Sequence, residues 1–235
     1  RILAERNDVT QIYYLTVERF GSTSLGKRQL AIPKVTHMPV IISSNIPRLL
    51  CKFYEINYLL HHILRYVDKY EPKVVFFRGA ILALFAHIVK IRFKVRVVVE
   101  SFEPHARYML ESGIWKRWSI SYIVQSICER LIKKSADNLI VVNSNYYRFL
   151  IESSQVRPDK LSVAPCWVNI DSFAFRVEDR LKVRAKIGVP QDHIAGIYVG
   201  KFGGIYYDHE AFNLFRLTFD FLQDRFFRIL ITPPP

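Results

Sequence analysis

The chain has 235 residues, half of them hydrophobic, and a formal net charge of +13. It is long enough for one large or two small domains with a substantial core, and its field favours anionic partners: nucleic acid, phosphorylated ligands or an acidic membrane surface. Three cysteines, Cys51, Cys128 and Cys166, odd in number, far apart and in no metal-ligand spacing, exclude a cysteine metal site and suit a reducing cytoplasm.

Taken in order, Ile2 to Asp8 reads as the tail of a helix. Thr10 to Val17 is β-branched and aromatic and predicts a strand. Gly21 to Lys27 is loop. Val35 to Ser43 predicts a strand in which Pro39 marks an edge or a start. Pro47 to Tyr70 predicts a long amphipathic helix with Leu49, Phe53, Ile56, Leu60, Ile63 and Val67 on one face. His61 and His62 are adjacent on it, point in different directions and do not form a metal pair. Lys73 to Phe77 predicts a buried strand, and Gly79 to Val89 an apolar helix. The window Ala80 to Val89, flanked by Arg78 and Lys90, is too short to span a bilayer. Val95 to Glu100 is a near-continuous apolar run, which predicts a parallel strand covered on both faces. Pro104 disfavours helix at Glu103, so a loop follows.

Trp118 to Lys134 predicts an amphipathic helix with Ile120, Ile123, Ile127 and Leu131 in register. Asn138 to Val142 is a strand, and Ser144 or Asn145 caps the next helix. Leu161 to Ala164 is a strand, Phe173 to Glu178 a linker, and Arg180 to Ile187 a short helix closed by Gly188. Ile197 to Val199 predicts a short buried strand, broken by Gly200-Lys201-Phe202-Gly203-Gly204. Asp208 caps a helix carrying Glu210 in its first turn and Ala211, Phe212, Leu214, Phe215, Phe219 and Leu222 near helical spacing. Phe227 to Ile231 is the last strand. The alternation of β and α argues for an α/β fold with doubly wound, Rossmann-type parallel sheets. Residues 1–172 read as a first domain, 173–190 as a linker, and 191–235 as the beginning of a second. Both ends read as cut: position 1 is Arg, and the chain stops at Thr232-Pro233-Pro234-Pro235 just after an apolar run.

Two stretches carry chemistry. Glu100-Ser101-Phe102-Glu103-Pro104-His105-Ala106-Arg107 follows the carboxyl end of a buried strand, where ligands of open α/β sheets bind. A carboxylate, an imidazole and a guanidinium there can polarise a hydroxyl, take up its proton or hold an anion. In the turn Gly200 to Gly204, glycines let backbone N–H groups approach a ligand, the helix start attracts negative charge, and Lys201 adds a cation. A phosphate or diphosphate fits such a turn, as does a plain βα connection with a solvated lysine. The cation clusters at Lys90 to Arg96, Lys116-Arg117, Lys133-Lys134 and Arg180 to Lys186 read mainly as solvated faces.

The ordered set of pieces resembles the GT-B glycosyltransferases of the retaining, family-4-like group. Glu100 to His105 (E-S-F-E-P-H) is similar to the family's histidine loop after a central strand. Glu129 to Ser144 is similar to its helix, "A-D", apolar strand and Ser. Lys160 to Phe173 is similar to its "P-x-G-V-D-x-x-x-F" segment, with Trp167 and Asn169 at the Gly and Asp positions. Tyr198 to Phe202 resembles the "vGR" opening of the second domain. The resemblance spans about Val95 to Phe215 and implies two Rossmann-like domains, the first for the acceptor and the second for a nucleotide-sugar. It implies that His105 contacts the donor sugar and that Lys201, with Gly200, Gly203 and Gly204, holds the donor diphosphate. Glu103 and Arg107 are then acceptor-contacting or loop-shaping.

What the resemblance implies is a metal-independent transferase, with no cofactor beyond its donor substrate, acting in polysaccharide or glycolipid synthesis. A saccharide or lipid-linked acceptor goes with it. The expected place is the cytoplasm, peripheral on an anionic membrane's cytoplasmic face. The family's second basic residue is absent, with Tyr207-Asp208 standing about there, and its E-x7-E motif would lie beyond Pro235. A nucleotide-sugar epimerase of the same architecture, a basic nucleic-acid-binding module and a non-catalytic remnant are the alternatives.

Overall fold

The protein was analysed as a computed structural model that describes residues 2–19, 32–42, 48–168, 170–203, 206 and 208–231. The β-branched runs form strands: β1 (Ile12–Arg19), β2 (Val35–Ile42), β3 (Val74–Arg78), β4 (Arg96–Ser101), β5 (Asn138–Val141), β6 (Leu161–Val163), β7 (Ile194–Val199) and β8 (Phe226–Ile231). Between them stand helices α1 (Ile2–Glu5), α2 (Arg48–Tyr70), α3 (Ala83–Phe93), α4 (His105–Glu111), α5 (Ile120–Ser135), α6 (Ser144–Glu152), α7 (Ile170–Phe173), α8 (Val177–Lys186) and α9 (His209–Leu222). Every described pairing is parallel. Parallel neighbours cannot be joined by a tight hairpin, so helices make the crossovers. β3-β4-β5-β6 form one sheet in that order, while β1 pairs with β2 and β7 with β8. This is the alternating α/β class expected from the sequence.

The core lies on one face of the four-stranded sheet. Val97, Val99, Leu139 and Val141 from β4 and β5 are sealed there against Phe85, Ala86 and Val89 of α3, Cys128 and Ile132 of α5 and Leu150 of α6. Leu59, Ile63 and Val67 of α2 and Val40 of β2 join the same cluster. Burying a side chain of this size contributes about 1.5–3 kcal/mol.

Several faces differ from expectation. α2 buries Leu59, Ile63 and Val67, whereas Ile56 is exposed and Leu60 half-buried; the side chains of Leu49 and Phe53 lie outside the described residues. On α5 the expected stripe of Ile120, Ile123 and Ile127 faces outward, and Gln125, Cys128, Ile132 and Ser135 are buried. The polar members of that inner face have partners: Gln125 donates to Glu129 at 3.1 Å, and the Ser135 hydroxyl lies 2.7 Å from His87 Nδ1. Their burial is therefore affordable, and a count of apolar spacing overlooks it. Among the described residues β3 stands at the edge of its sheet, with Val74 and Phe76 exposed, and in β7 Ile197 and Val199 are exposed. On β4 only one face is sealed, and Val98 and Glu100 opposite are half-buried. Gly21 to Lys27, Ser43 and Pro47 lie outside the described residues.

The cation clusters are not all solvated. Arg184 is buried and donates to the Pro190 and His193 carbonyls, tying α8 to the start of β7. Lys90 of α3 pairs with Asp137 at the entrance to β5. Asp137 also exchanges backbone and side-chain bonds with Val97: its N–H donates to the Val97 carbonyl and its carboxylate accepts from the Val97 N–H, each at 2.8 Å. Burial works to raise the Asp137 pKa, but the Lys90 and Val97 bonds outweigh it and hold the carboxyl below its ordinary value. A carboxyl held low in the folded state adds stability that is present at neutral pH and lost as pH falls through the folded pKa. Asp137→Asn is expected to destabilise the chain by about 1–2 kcal/mol in urea titrations at neutral pH, this partly exposed pair being weaker than a sealed one. The gap from the parent should close in acid, below the ordinary carboxylate range.

Candidate functional site

β4 is an interior strand, and the chain leaves its carboxyl end at Ser101. The exit is fixed from both sides. The Ser101 hydroxyl is buried 3.2 Å from the Tyr146 hydroxyl of α6. Burial pushes the Tyr146 phenol up to about 12, so it remains a neutral hydrogen-bonding group. The Gly79 N–H donates to the Glu100 carbonyl at 2.9 Å, and Arg78 meets the Glu100 carboxylate at 3.0 Å while lying over the Phe102 ring.

Only three residues, Phe102 to Pro104, separate β4 from α4. His105 and Arg107 therefore stand on a short helix rather than in the loop expected. Pro104 explains this: it disfavours helical backbone at Glu103, while its own φ of −75° is compatible with the start of a helix. The Glu103 carboxylate reaches over that turn and accepts from His105 Nδ1–H at 2.8 Å. The two side chains are each 36% exposed, sheltered but reachable. The His105 ring sits edge-on to Trp115 at 5.4 Å, which fixes its plane. No described residue bonds His105 Nε2.

A residue outside the sequence-level candidates completes the cluster. Glu129 of α5 accepts from the Ala106 N–H at 2.9 Å, next to His105, and from Gln125. It satisfies an amide that the start of α4 would otherwise leave open. Its signal in the sequence is an acidic residue on the inward side of a helix, which is unusual unless it is bonded. Arg107 turns away: it pairs with Glu111 at 2.6 Å and lies over the Phe149 ring.

The second candidate stretch follows β7. Gly200 and Gly203 both take backbone conformations disfavoured for other residues, with φ of 158° and 80°. The Tyr198 hydroxyl donates to the Lys201 carbonyl at 2.6 Å, and Tyr198, Phe202 and Phe212 stack at 4.6 and 4.9 Å. These aromatics hold the turn, a contribution the sequence announced only as apolar spacing. Lys201 is exposed. Asp208 is the N-cap of α9 as expected, with Glu210 in the first turn. Gly204, Tyr207 and Asn169 lie outside the described residues.

Thus the structure joins Glu103 to His105 and holds Gly200, Lys201 and Gly203 in one turn. It does not join Arg107 to His105, and no bond among the described residues links the His105 cluster to the Lys201 turn. Elsewhere Asn143, not Ser144 or Asn145, caps α6 by accepting from the Tyr146 N–H at 2.7 Å. Among the described residues no group of three or more His, Cys, Asp or Glu is arranged to hold a metal ion, and no helix is long and apolar enough to cross a membrane.

No protein-family model and no curated protein sequence matches the chain. Solved structures do. HepE (Alr3699) of Anabaena, in complex with UDP-glucose, matches with a TM-score of 0.54 at 12% identity, covering 94% of this chain and 69% of its own. UGT89C1 of Arabidopsis thaliana, complexed with UDP-L-rhamnose, matches with a TM-score of 0.55 at 13% identity, covering 100% of this chain and 64% of its own. The fold is GT-B-like. It is the architecture that the ordered motifs implied, reached by a comparison of shape rather than of residues.

Glu129→Ala is expected to loosen the start of α4, raising hydrogen exchange at the Ala106 amide and destabilising the chain by about 1–2 kcal/mol. Glu129→Gln, which keeps an acceptor, should lose less than half of that.

Proposed function

We propose that this chain is the acceptor-side part, with the beginning of the donor side, of a glycosyltransferase that moves a sugar from a nucleotide-sugar to an acceptor. The observation that carries the reading is the His105–Glu103 pair, bonded, partly sheltered and set at the carboxyl end of an interior parallel strand. The fold supports it, because two proteins with this fold have been solved with UDP-glucose and UDP-L-rhamnose bound. Residues 1–172 form the acceptor side in this reading, 173–190 join the halves, and 191–235 open the donor side.

The chemistry follows from charge. Departure of a nucleoside diphosphate builds negative charge on its phosphates, and a cation aimed there lowers the barrier. Lys201, exposed in a turn that glycines open, takes that role in our reading, with backbone N–H groups of the turn beside it. Glu103 accepts from Nδ1–H of His105 and leaves Nε2 to accept from a sugar hydroxyl, fixing the donor sugar against the acceptor. We assign Glu103 to positioning His105. Arg107, spent on Glu111, shapes α4 and does not touch substrate. Transfer without a metal, with retention, to a polysaccharide or a lipid-linked acceptor at the cytoplasmic face of a membrane is the fuller form of the proposal.

A thermal-shift screen against UDP, GDP, ADP and their sugar conjugates tests it. One nucleoside diphosphate should raise the melting temperature, and Lys201→Ala should weaken that ligand by about tenfold to a hundredfold, the loss of one charge-assisted phosphate contact. His105→Ala should leave the diphosphate affinity within about twofold and weaken the sugar conjugate alone. No shift with any nucleotide would remove the reading.

A further inference from the structure

The amino ends of β3 and β4 frame a cleft of about 410 Å³ that the candidate site does not use. It opens where α2 runs into β3 and α3 into β4, so the length of β4, about 16 Å, separates it from the strand end that leads to His105. One lip carries Asp68, Glu71 and Lys73, and the other carries Lys94 and Arg96. All five are exposed, and among the described residues no side-chain hydrogen bond or ion pair engages any of them. Between the lips lie Val67, buried, and Phe93 and Val95, half-buried. Two of the charged residues hold strained backbone. Glu71 and Lys94 take left-handed conformations, with φ of 43° and 53°, and each donates its N–H to a last-turn carbonyl, Val67 at 3.0 Å and Lys90 at 3.1 Å. Glycine suits such a helix end better. A glutamate and a lysine stand there instead, at the two lips of one cleft.

The geometry points to a binding site for a phosphomonoester carried on a hydroxylated ring, a sugar phosphate or a nucleoside monophosphate. Lys73, Lys94 and Arg96 supply the cations for the phosphate, and the guanidinium of Arg96 can bond two of its oxygens at once. The strand register keeps Lys73 beside the other two, since Val74 pairs with Arg96 across β3 and β4. Asp68 and Glu71 accept from ring hydroxyls, which ammonium groups cannot do. Phe93, with Val67 and Val95, offers an apolar surface to the face of the ring. A bare anion is a poor partner, because α2 and α3 both end at the cleft, each with the partial negative charge of a helix carboxyl end, and two carboxylates add to it. A bare cation is opposed by the two lysines and the arginine. A ligand with a phosphate on one side and hydroxyls on the other satisfies both lips. The site involves neither the His105 cluster nor the Lys201 turn, and it stands whether or not the chain transfers sugars.

The test is a titration of the isotope-labelled full chain with glucose phosphate, adenosine monophosphate, inorganic phosphate and glucose, read at the backbone amides. At least one of the two esters should shift the amides of Lys73, Lys94 and Val95, and the tighter of the two tells a sugar-phosphate site from a nucleotide site. Inorganic phosphate and glucose should each bind about tenfold more weakly or worse. Lys94→Gly with Arg96→Gln should weaken the ester by about tenfold to a hundredfold. Lys94→Gly alone should weaken it while the melting temperature stays level or rises, because glycine relieves the left-handed backbone; a lysine kept for stability would give the reverse. Asp68→Ala with Glu71→Gly should weaken the ester and strengthen inorganic phosphate, a pair of opposite signs that damage to the fold would not produce. Equal binding of inorganic phosphate, shifts that spare Lys73, Lys94 and Val95, full affinity in the Lys94 and Arg96 double variant, or no binding of either ester would overturn the inference.

Discussion

An interior parallel strand has its backbone satisfied on both edges, so the point at which the chain leaves it is fixed by the sheet itself. β4 is such a strand, paired with β3 and β5 and sealed on one face by Val97 and Val99. Asp137 locks its beginning through Val97 and, by way of Lys90, to α3. Ser101, Glu100 and Gly79 lock its end. The His105–Glu103 pair inherits that rigidity across only three residues. A site held this way keeps its geometry without help from a bound ligand, which is what a positioning role demands.

The strands were legible because β-branched runs admit few other readings, and the parallel class was legible because helices alternate with them. Much of what escaped the sequence has one physical cause: polar side chains bonded inside the fold. The outward turn of α5 rests on Gln125 and Ser135 having partners, Glu129 on the same helix and His87 far away in sequence. Likewise Glu129 matters because it faces Ala106 across two elements, and Tyr146 because it meets Ser101. His105 and Glu103 were legible by their place after a strand. That His105 begins a helix was not, since Pro104 both ends an extended segment and permits a helix to start.

The two candidate stretches differ in how they are built. Around His105 the supports are hydrogen bonds from three elements, β4, α5 and α6. Around Lys201 the supports are a stack of aromatic rings, Tyr198, Phe202 and Phe212, with Tyr198 bonded to the turn's own backbone. Among the described residues the first leaves an imidazole nitrogen open, and the second leaves an ammonium in solvent. A nucleotide-sugar carries a partner for each, hydroxyls on its sugar and charge on the diphosphate next to it, and that pairing of chemistries is the centre of the account.

The measurement that tests this most directly is a nuclear magnetic resonance titration of histidine- and glycine-labelled protein with the nucleotide-sugar that binds best. The account expects the His105 ring and the Gly200 and Gly203 amides to shift along one binding curve, with one dissociation constant, because a single ligand meets both stretches. Shifts at the glycines with an unmoved His105 ring would contradict it.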